Sequence, residues 1–234
     1  MRGHVDFDDA ASDYDAQLQR GLSASGEDKN FFAKGRVSWL SQGLSERGFS
    51  PSSVLDYGCG TGSSVPFLLD DLAAPSVVGV DVSSRSIEIA RRLQRSSRAR
   101  FETLEDYVPN GTIDLAFCNG VFHHIPPSQR AGAVEWIYRA LRPGGIWAFW
   151  ENNPWNPGTQ WVMYRIPFDR DAVKVTPSEA RRLLIAGGFE ILSVDHLFVF
   201  PRFMRWLRPL EPKIANLPLG AQYQILCRKP APRD

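Results

Sequence analysis

The chain has 234 residues, with 27 lysines and arginines against 26 aspartates and glutamates, giving a formal net charge of +1. A charge this close to balance supplies no general attraction to a phosphate backbone, so no nucleic-acid partner is expected. Apolar residues make up 43% and charged residues 23%, an ordinary globular composition that allows one generous domain or one domain with added caps.

Cys59, Cys118 and Cys227 are far apart and show no metal-ligand spacing. Their odd number argues against a disulfide framework, so the expectation is buried thiols in a reducing cytoplasm and no metal site. The first residues carry no apolar run of the signal-peptide kind, and no stretch approaches the ~18–20 apolar residues of a membrane span.

Residues 1–50 read as an N-terminal helical cap or arm. Phe7, Tyr14 and Leu18 recur at roughly helical spacing, and a further helix from Asn30 places Phe32, Val37, Leu40 and Leu44 on one side. From residue 51 strands and helices alternate. Val54–Tyr57 is a strand, Ser63–Leu72 a helix, and Val77–Val82 a strand too apolar to have a wet face. Ser83 caps a helix with Ile87, Ala90 and Leu93 turned inward. Arg100–Leu104 and Ile113–Cys118 are strands, Ser128–Leu141 a helix with Ala131, Val134, Tyr138 and Leu141 along one side, and Ile146–Trp150 a fifth strand. Helical crossovers between strands imply a doubly wound α/β sheet.

Residues 153–175 break the pattern with prolines and aromatics and read as a loop on the acceptor side. Thr176-Pro177-Ser178-Glu179 has the form of a capping box, and its helix should stop at Gly187-Gly188. Phe189–Phe200 and Ala221–Lys229 pair as a hairpin interrupted by an insertion at residues 201–219. Within it Phe203, Trp206, Leu207 and Leu210 fall at helical spacing, with Arg202, Arg205 and Arg208 on another side. Packing over the domain or a second subunit is the expected role, and contact with a membrane surface is the alternative.

The stretch from Val54 to Gly62 is the centre of the functional reading. A strand runs into a turn where Gly58, Gly60 and Gly62 alternate with small residues, so a ligand can approach bare backbone. Asp56, two residues before the first glycine, would repel a pyrophosphate and suits a ligand carrying an ammonium group. Asp81 ends the next strand, where an acidic side chain can accept both hydroxyls of a ribose; the plainer role is a cap before Ser83.

Val54–Gly62, Val78–Ser83, Ile113–Phe117 and Leu141-Arg142-Pro143-Gly144-Gly145, in that order, resemble the motifs of class I S-adenosylmethionine-dependent methyltransferases of the small-molecule type. The resemblance implies a Rossmann-like, seven-stranded sheet, mostly parallel, with one antiparallel strand from the C-terminal hairpin. It implies S-adenosylmethionine as cofactor and S-adenosylhomocysteine as product. Asp56, Gly58, Cys59, Gly60 and Gly62 would hold the methionine moiety, and Asp81 with Val82 the ribose. Leu104 and Glu105 would border the adenine, although the family commonly has a glycine before the acidic residue there. Asn119 would line the pocket, Tyr14 would close over it and Arg36 would meet the cofactor carboxylate.

Transfer from a sulfonium needs in-line placement and a dry pocket, with a base only for a weakly acidic acceptor. His124, and after it His123, are the candidate bases, with structural packing as the alternative. Glu151, Asn152, Trp155, Tyr164 and Arg165, with Asn153 and Trp161 nearby, are the candidate acceptor-pocket residues. The expected partner is a small acceptor, apolar or lipid-like, methylated at oxygen, nitrogen or carbon, on a monomer or homodimer. An NAD-dependent oxidoreductase or epimerase is disfavoured by Asp56, the glycine spacing and the lack of a Tyr-x-x-x-Lys pair. A non-catalytic module of the same fold should show a broken glycine corner, and this one is intact.

Overall fold

The computed structural model describes residues 25–165 and 172–231. Phe7, Tyr14, Leu18 and Phe168 lie outside them. The first helix, α1 (Lys29–Ser45), starts where the Asp28 carboxylate accepts the Phe31 N–H at 2.8 Å. It buries Val37, Leu40 and Leu44 completely, the stripe expected from their spacing.

The alternation then runs β1 (Ser53–Tyr57), α2 (Val65–Asp70), β2 (Ser76–Asp81), α3 (Ser84–Leu93), β3 (Ala99–Thr103), β4 (Ile113–Asn119), α4 (Arg130–Ala140) and β5 (Leu141–Asn152). It continues with α5 (Pro157–Arg165), α6 (Pro177–Ala186), β6 (Glu190–Leu197), a 3-10 helix at Arg202–Leu210, α7 (Glu211–Ile214) and β7 (Gln222–Arg228). The sheet has seven strands in the order β3-β2-β1-β4-β5-β7-β6. Only β7 is antiparallel to its neighbours, β5 and β6, as the hairpin reading required. The order reverses between β1 and β4, and the carboxyl ends of these strands are where an open sheet of this kind receives its ligand.

Both faces of the sheet are covered. Along β5, Trp147 and Phe149 enter one core with α4 and α6, while Ile146, Ala148 and Trp150 enter the other with α1, α2 and α3. This double burial explains why the strands read as continuous apolar runs. The Ser83 hydroxyl caps α3 by accepting the Ser86 N–H at 3.0 Å, and Thr176 and Glu179 form the expected capping box.

Several local expectations are corrected. The helix after the glycine turn is only Val65–Asp70, because residues 60–64 remain in turns. Leu93 ends α3 and is exposed, and Ala131 is exposed while Ile137 and Ala140 join Val134 in the core. Strand β5 extends through Glu151 and Asn152 because β7 pairs with it as far as Asn152 opposite Gln222. The aromatic loop holds helix α5, which anchors itself by burying Thr159 and Met163. The insertion forms a 3-10 helix that runs on through Pro209, because a short segment with a proline tolerates i to i+3 bonding.

Candidate functional site

The glycine corner is set by the end of β1. The N–H groups of Gly58 and Cys59 both donate to the Val80 carbonyl, at 2.8 and 3.0 Å, folding the turn back over β2. Gly58 has φ +72°, and a Cβ there would lie 2.4 Å from Val121 Cγ2. Gly60 has φ +53° and nothing within 4 Å of an added Cβ. The first glycine is therefore required by packing, and the second leaves space over its backbone. Gly58→Ala is expected to lower stability by about 2–4 kcal/mol through strain and overpacking, read as a denaturant midpoint. Gly60→Ala should keep most of that stability and appear mainly as weakened S-adenosylhomocysteine affinity; equal stability losses in both would sink this distinction.

Asp81 takes the plainer of the two roles considered for it, the cap before Ser83, and adds a bond to the glycine turn. Its Oδ1 accepts the Ser83 N–H at 2.9 Å and its Oδ2 accepts the Gly60 N–H at 2.8 Å, tying the corner to β2. Val82 next to it is exposed, and the Leu104 N–H donates to the Asp81 carbonyl at 2.9 Å, which brings β3's end beside the same rim. Glu105 is exposed there. The Cys59 thiol is buried in the corner, and burial pushes its pKa up.

Asp56 is 3% exposed at the floor of the corner. Burial first, then the nearby Asp81 charge, pushes its pKa up to about 7, against the opposing pull of Arg36. Its Oδ2 has no hydrogen-bond partner among the described residues, and neither does Asn119 Oδ1 at the end of β4. Two buried acceptors without donors call for a ligand that brings N–H groups. An amino-acid ammonium fits that donor requirement, and the space over Gly60 fits a close approach to backbone. Asp56 and Asn119, with the glycine turn, are the residues that would hold the methionine end of S-adenosylmethionine.

Beside Asn119 opens a cavity of about 390 Å³. Its wall carries Phe31 and Phe32 of α1 against Phe198, with ring centroids 5.0 to 6.0 Å apart. Trp161 of α5 and Phe200 and Phe203 of the insertion extend the apolar lining. The polar lining includes Arg36, Asn119, His123, Asn152 and Gln222, with the charged Glu27, Lys29 and Arg208 also on the wall. Arg36 Nη1 donates to Gln222 Oε1 at 2.9 Å, and Gln222 Nε2 donates to Asn152 Oδ1 at 3.2 Å. This relay joins α1, β7 and β5 across the cavity base.

The expected acceptor residues separate into two groups. Asn152 lines the cavity. Glu151 does not: at 1% exposure it lies beneath the loop after β4. Its Oε1 accepts the Phe122 and His123 N–H groups at 2.7 and 3.3 Å, and its Oε2 sits 2.7 Å from His123 Nδ1. Burial alone would raise the Glu151 pKa, but the His123 charge and these hydrogen bonds outweigh it and hold the carboxyl below its ordinary range. Trp155, Tyr164 and Arg165 are also outside the lining. They sit on exposed faces around α5, with the Arg165 guanidinium 4.6 Å from the Trp161 ring centroid. Trp161 borders the cavity while remaining 47% exposed, and Tyr164, one turn further along α5, is 70% exposed and outside the lining.

Of the two histidines, His123 lines the cavity and His124 stacks beside it with centroids 4.0 Å apart. The sequence put His124 first, whereas the cavity lining contains His123. Phe31, Phe198 and Gln222 were not singled out from the sequence. Register was the signal for Gln222, the first residue of β7, which falls opposite Asn152.

Residues 54–145 match a family model described as a methyltransferase domain. The trans-aconitate 2-methyltransferase of Azoarcus is 33% identical over 97 residues, 42% of this chain and 38% of that protein. The carboxy-S-adenosyl-L-methionine synthase of Campylobacter curvus is 29% identical over 183 residues, 66% of this chain and 75% of that protein. The chain thus spans well under half of the first relative and three-quarters of the second. A TehB-like S-adenosylmethionine-dependent methyltransferase from Corynebacterium glutamicum superposes with TM-score 0.60 at 18% identity, covering 95% of this chain and 98% of its own; at that identity the likeness is one of fold. Over residues 54–145 the chain is thus similar to methyltransferase domains, and the sheet order and the glycine corner agree with that likeness. Among the described residues no helix is long and apolar enough to cross a membrane.

Proposed function

We propose that the protein transfers the methyl group of S-adenosylmethionine to a small, largely apolar acceptor held in the aromatic cavity. The observation that carries this is the pairing of two buried acceptors without donors, Asp56 Oδ2 and Asn119 Oδ1, with an adjoining apolar chamber. When bound, the cofactor supplies an electrophilic methyl on a sulfonium. The chain's own contribution is placement, exclusion of water by Phe31, Phe32, Phe198 and Trp161, and proton handling. The Azoarcus relative is named for a small-molecule acceptor, which supports the size of the acceptor and not its apolar character, since aconitate is a tricarboxylate.

His123 is the proposed base. A proton on Nδ1, donated to Glu151, leaves the lone pair on Nε2, so the ring can accept a proton from an acceptor hydroxyl or ammonium. His123→Ala should leave S-adenosylhomocysteine affinity within about threefold and lower turnover about 10²-fold or more, the usual range for a lost base. His124→Ala should have the smaller effect. Equal turnover in wild type and His123→Ala with the true acceptor would remove the base role.

One titration calorimetry series tests the cofactor reading. S-adenosylhomocysteine should bind and NAD should not; tight NAD binding with no homocysteine binding would return the oxidoreductase reading. The synthase relative, matched over three-quarters of its length, motivates a second reading, modification of the cofactor itself. Mass analysis of the products distinguishes them: S-adenosylhomocysteine with a methylated acceptor supports transfer, and carboxy-S-adenosylmethionine supports the second reading.

A further inference from the structure

We infer that the insertion between β6 and β7 is a docking surface for an anionic lipid bilayer, with the cavity mouth opening beside it. The segment Arg202–Leu210 is two short stretches of 3-10 helix broken by a kink at Met204. Met204 and Leu207 are half-buried, while Arg202 and Arg205 are exposed. Phe203 and Trp206 stand in solvent, 79% and 74% exposed. No other aromatic side chain among the described residues is as exposed as these two.

The acidic groups nearby are turned inward. Glu27 pairs with Arg208 at 2.9 Å. Glu211 accepts the Phe198 and Phe200 N–H groups at 3.1 and 3.0 Å. Arg202 donates to the Gly26 carbonyl at 3.2 Å. No carboxylate among the described residues pairs with Arg202 or Arg205. The outward tip is thus two aromatics flanked by cations, with Leu217 and Leu219 also exposed in the same insertion. Aromatic rings at headgroup depth with arginines above them is the composition of an interfacial contact. Charge complementarity selects anionic headgroups over neutral ones.

The surface is continuous with the chamber. Pro201, Phe203 and Arg208 line the cavity from the insertion side. A protein seated on a bilayer by Phe203 and Trp206 would present its cavity mouth to the lipid, and an amphiphile could enter without crossing water. That consequence rests on the cavity being the acceptor chamber; the docking itself does not.

The test is co-sedimentation of the full chain with vesicles of phosphatidylcholine alone or mixed with phosphatidylglycerol, at low and high salt. Binding is expected only to the mixed vesicles, and it should fall with salt. Trp206→Ser and Arg205→Glu should each weaken it about tenfold, since one basic residue at a bilayer surface counts for about fivefold and charge reversal for more. S-adenosylhomocysteine affinity, titrated in the same preparations, should be unchanged by both substitutions. Absence of wild-type binding to mixed vesicles, equal binding to neutral ones, or unchanged binding in both variants would each overturn the proposal. So would a concentration-dependent dimer that Trp206→Ser dissociates, with no vesicle binding. Failed vesicle binding with intact homocysteine binding sinks only the docking surface, whereas failed homocysteine binding sinks the cofactor reading.

Discussion

Asp56→Asn is expected to make the ligand-free protein more stable above pH 7 and to weaken S-adenosylhomocysteine binding about a hundredfold. The folded-state pKa of about 7, against 3.8 for an ordinary aspartate, means that ionising Asp56 in the fold costs about 4 kcal/mol. For a group whose folded pKa is raised, the stabilising contribution is complete below the unfolded value and is lost as pH rises through the folded one. The wild type should therefore lose stability from this group between about pH 4 and pH 7. Asparagine removes the charge, and its buried amide gives back about 1–3 kcal/mol of that gain. A net gain of about 1–3 kcal/mol at pH 8 should be visible in denaturant midpoints, and near pH 4, where only the amide cost remains, it should reverse to a deficit of about 1–3 kcal/mol.

Binding moves the other way. An ammonium placed against Asp56 restores the ionised form, so wild-type affinity should rise with pH through about 7 and binding should release protons to the buffer. Loss of one partner from a buried charged hydrogen bond costs about 2–5 kcal/mol, hence the hundredfold loss. Calorimetry in two buffers of different ionisation enthalpy reads the proton release directly. An Asp56→Asn protein that is destabilised at pH 8, or that binds S-adenosylhomocysteine as tightly as wild type, would falsify this account.

The second large effect is expected at Glu151. Glu151→Ala should cost about 3 kcal/mol, because buried N–H donors lose a charged acceptor. The carboxylate takes N–H groups from Phe122, His123 and Asn152 and faces the His123 ring, so its removal frees the loop that packs on Gly58 through Val121. Glu151→Gln keeps one acceptor oxygen and should cost less, while still lowering turnover because the His123 tautomer is no longer held. The pH sign is opposite to that of Asp56. A depressed carboxylate pKa contributes stability that is present above the unfolded value, 4.5, and is lost as pH falls through the folded one. The gap between wild type and Glu151→Gln should thus narrow under acid, followed as melting temperature against pH. A gap that stays constant from pH 7 down to acid unfolding would show that the clamp is not electrostatic.

The sequence made the corner legible because its requirements are local. Gly58 and Gly60 announce left-handed backbone within a few residues of an apolar strand, and Asp56 beside them raises the expectation of a cationic ligand. Ser83 and the Thr176–Glu179 box are legible for the same reason, since a cap is satisfied within its own turn. The expectations that failed depended on an orientation fixed elsewhere. Glu151 was read as facing an acceptor, but the loop after β4 supplies backbone N–H groups that claim its carboxylate. Trp155, Tyr164 and Arg165 lost their assigned pocket because α5 turned one face, Thr159 and Met163, into the domain. His123 and His124 are adjacent in sequence, and only the buried partner of His123 distinguishes them.

By itself, then, the sequence determined the class of sheet, the glycine corner and the insertion as a distinct piece, because periodicity and glycine chemistry act over one element at a time. Only the tertiary structure decided what the chamber is made of. Its walls come from α1, the end of β4, α5, the insertion and the start of β7, and Arg36 meets Gln222 across 186 residues of chain. No local pattern encodes such a meeting; it follows from sheet order and strand register, which are settled by the burial of both faces of the sheet at once.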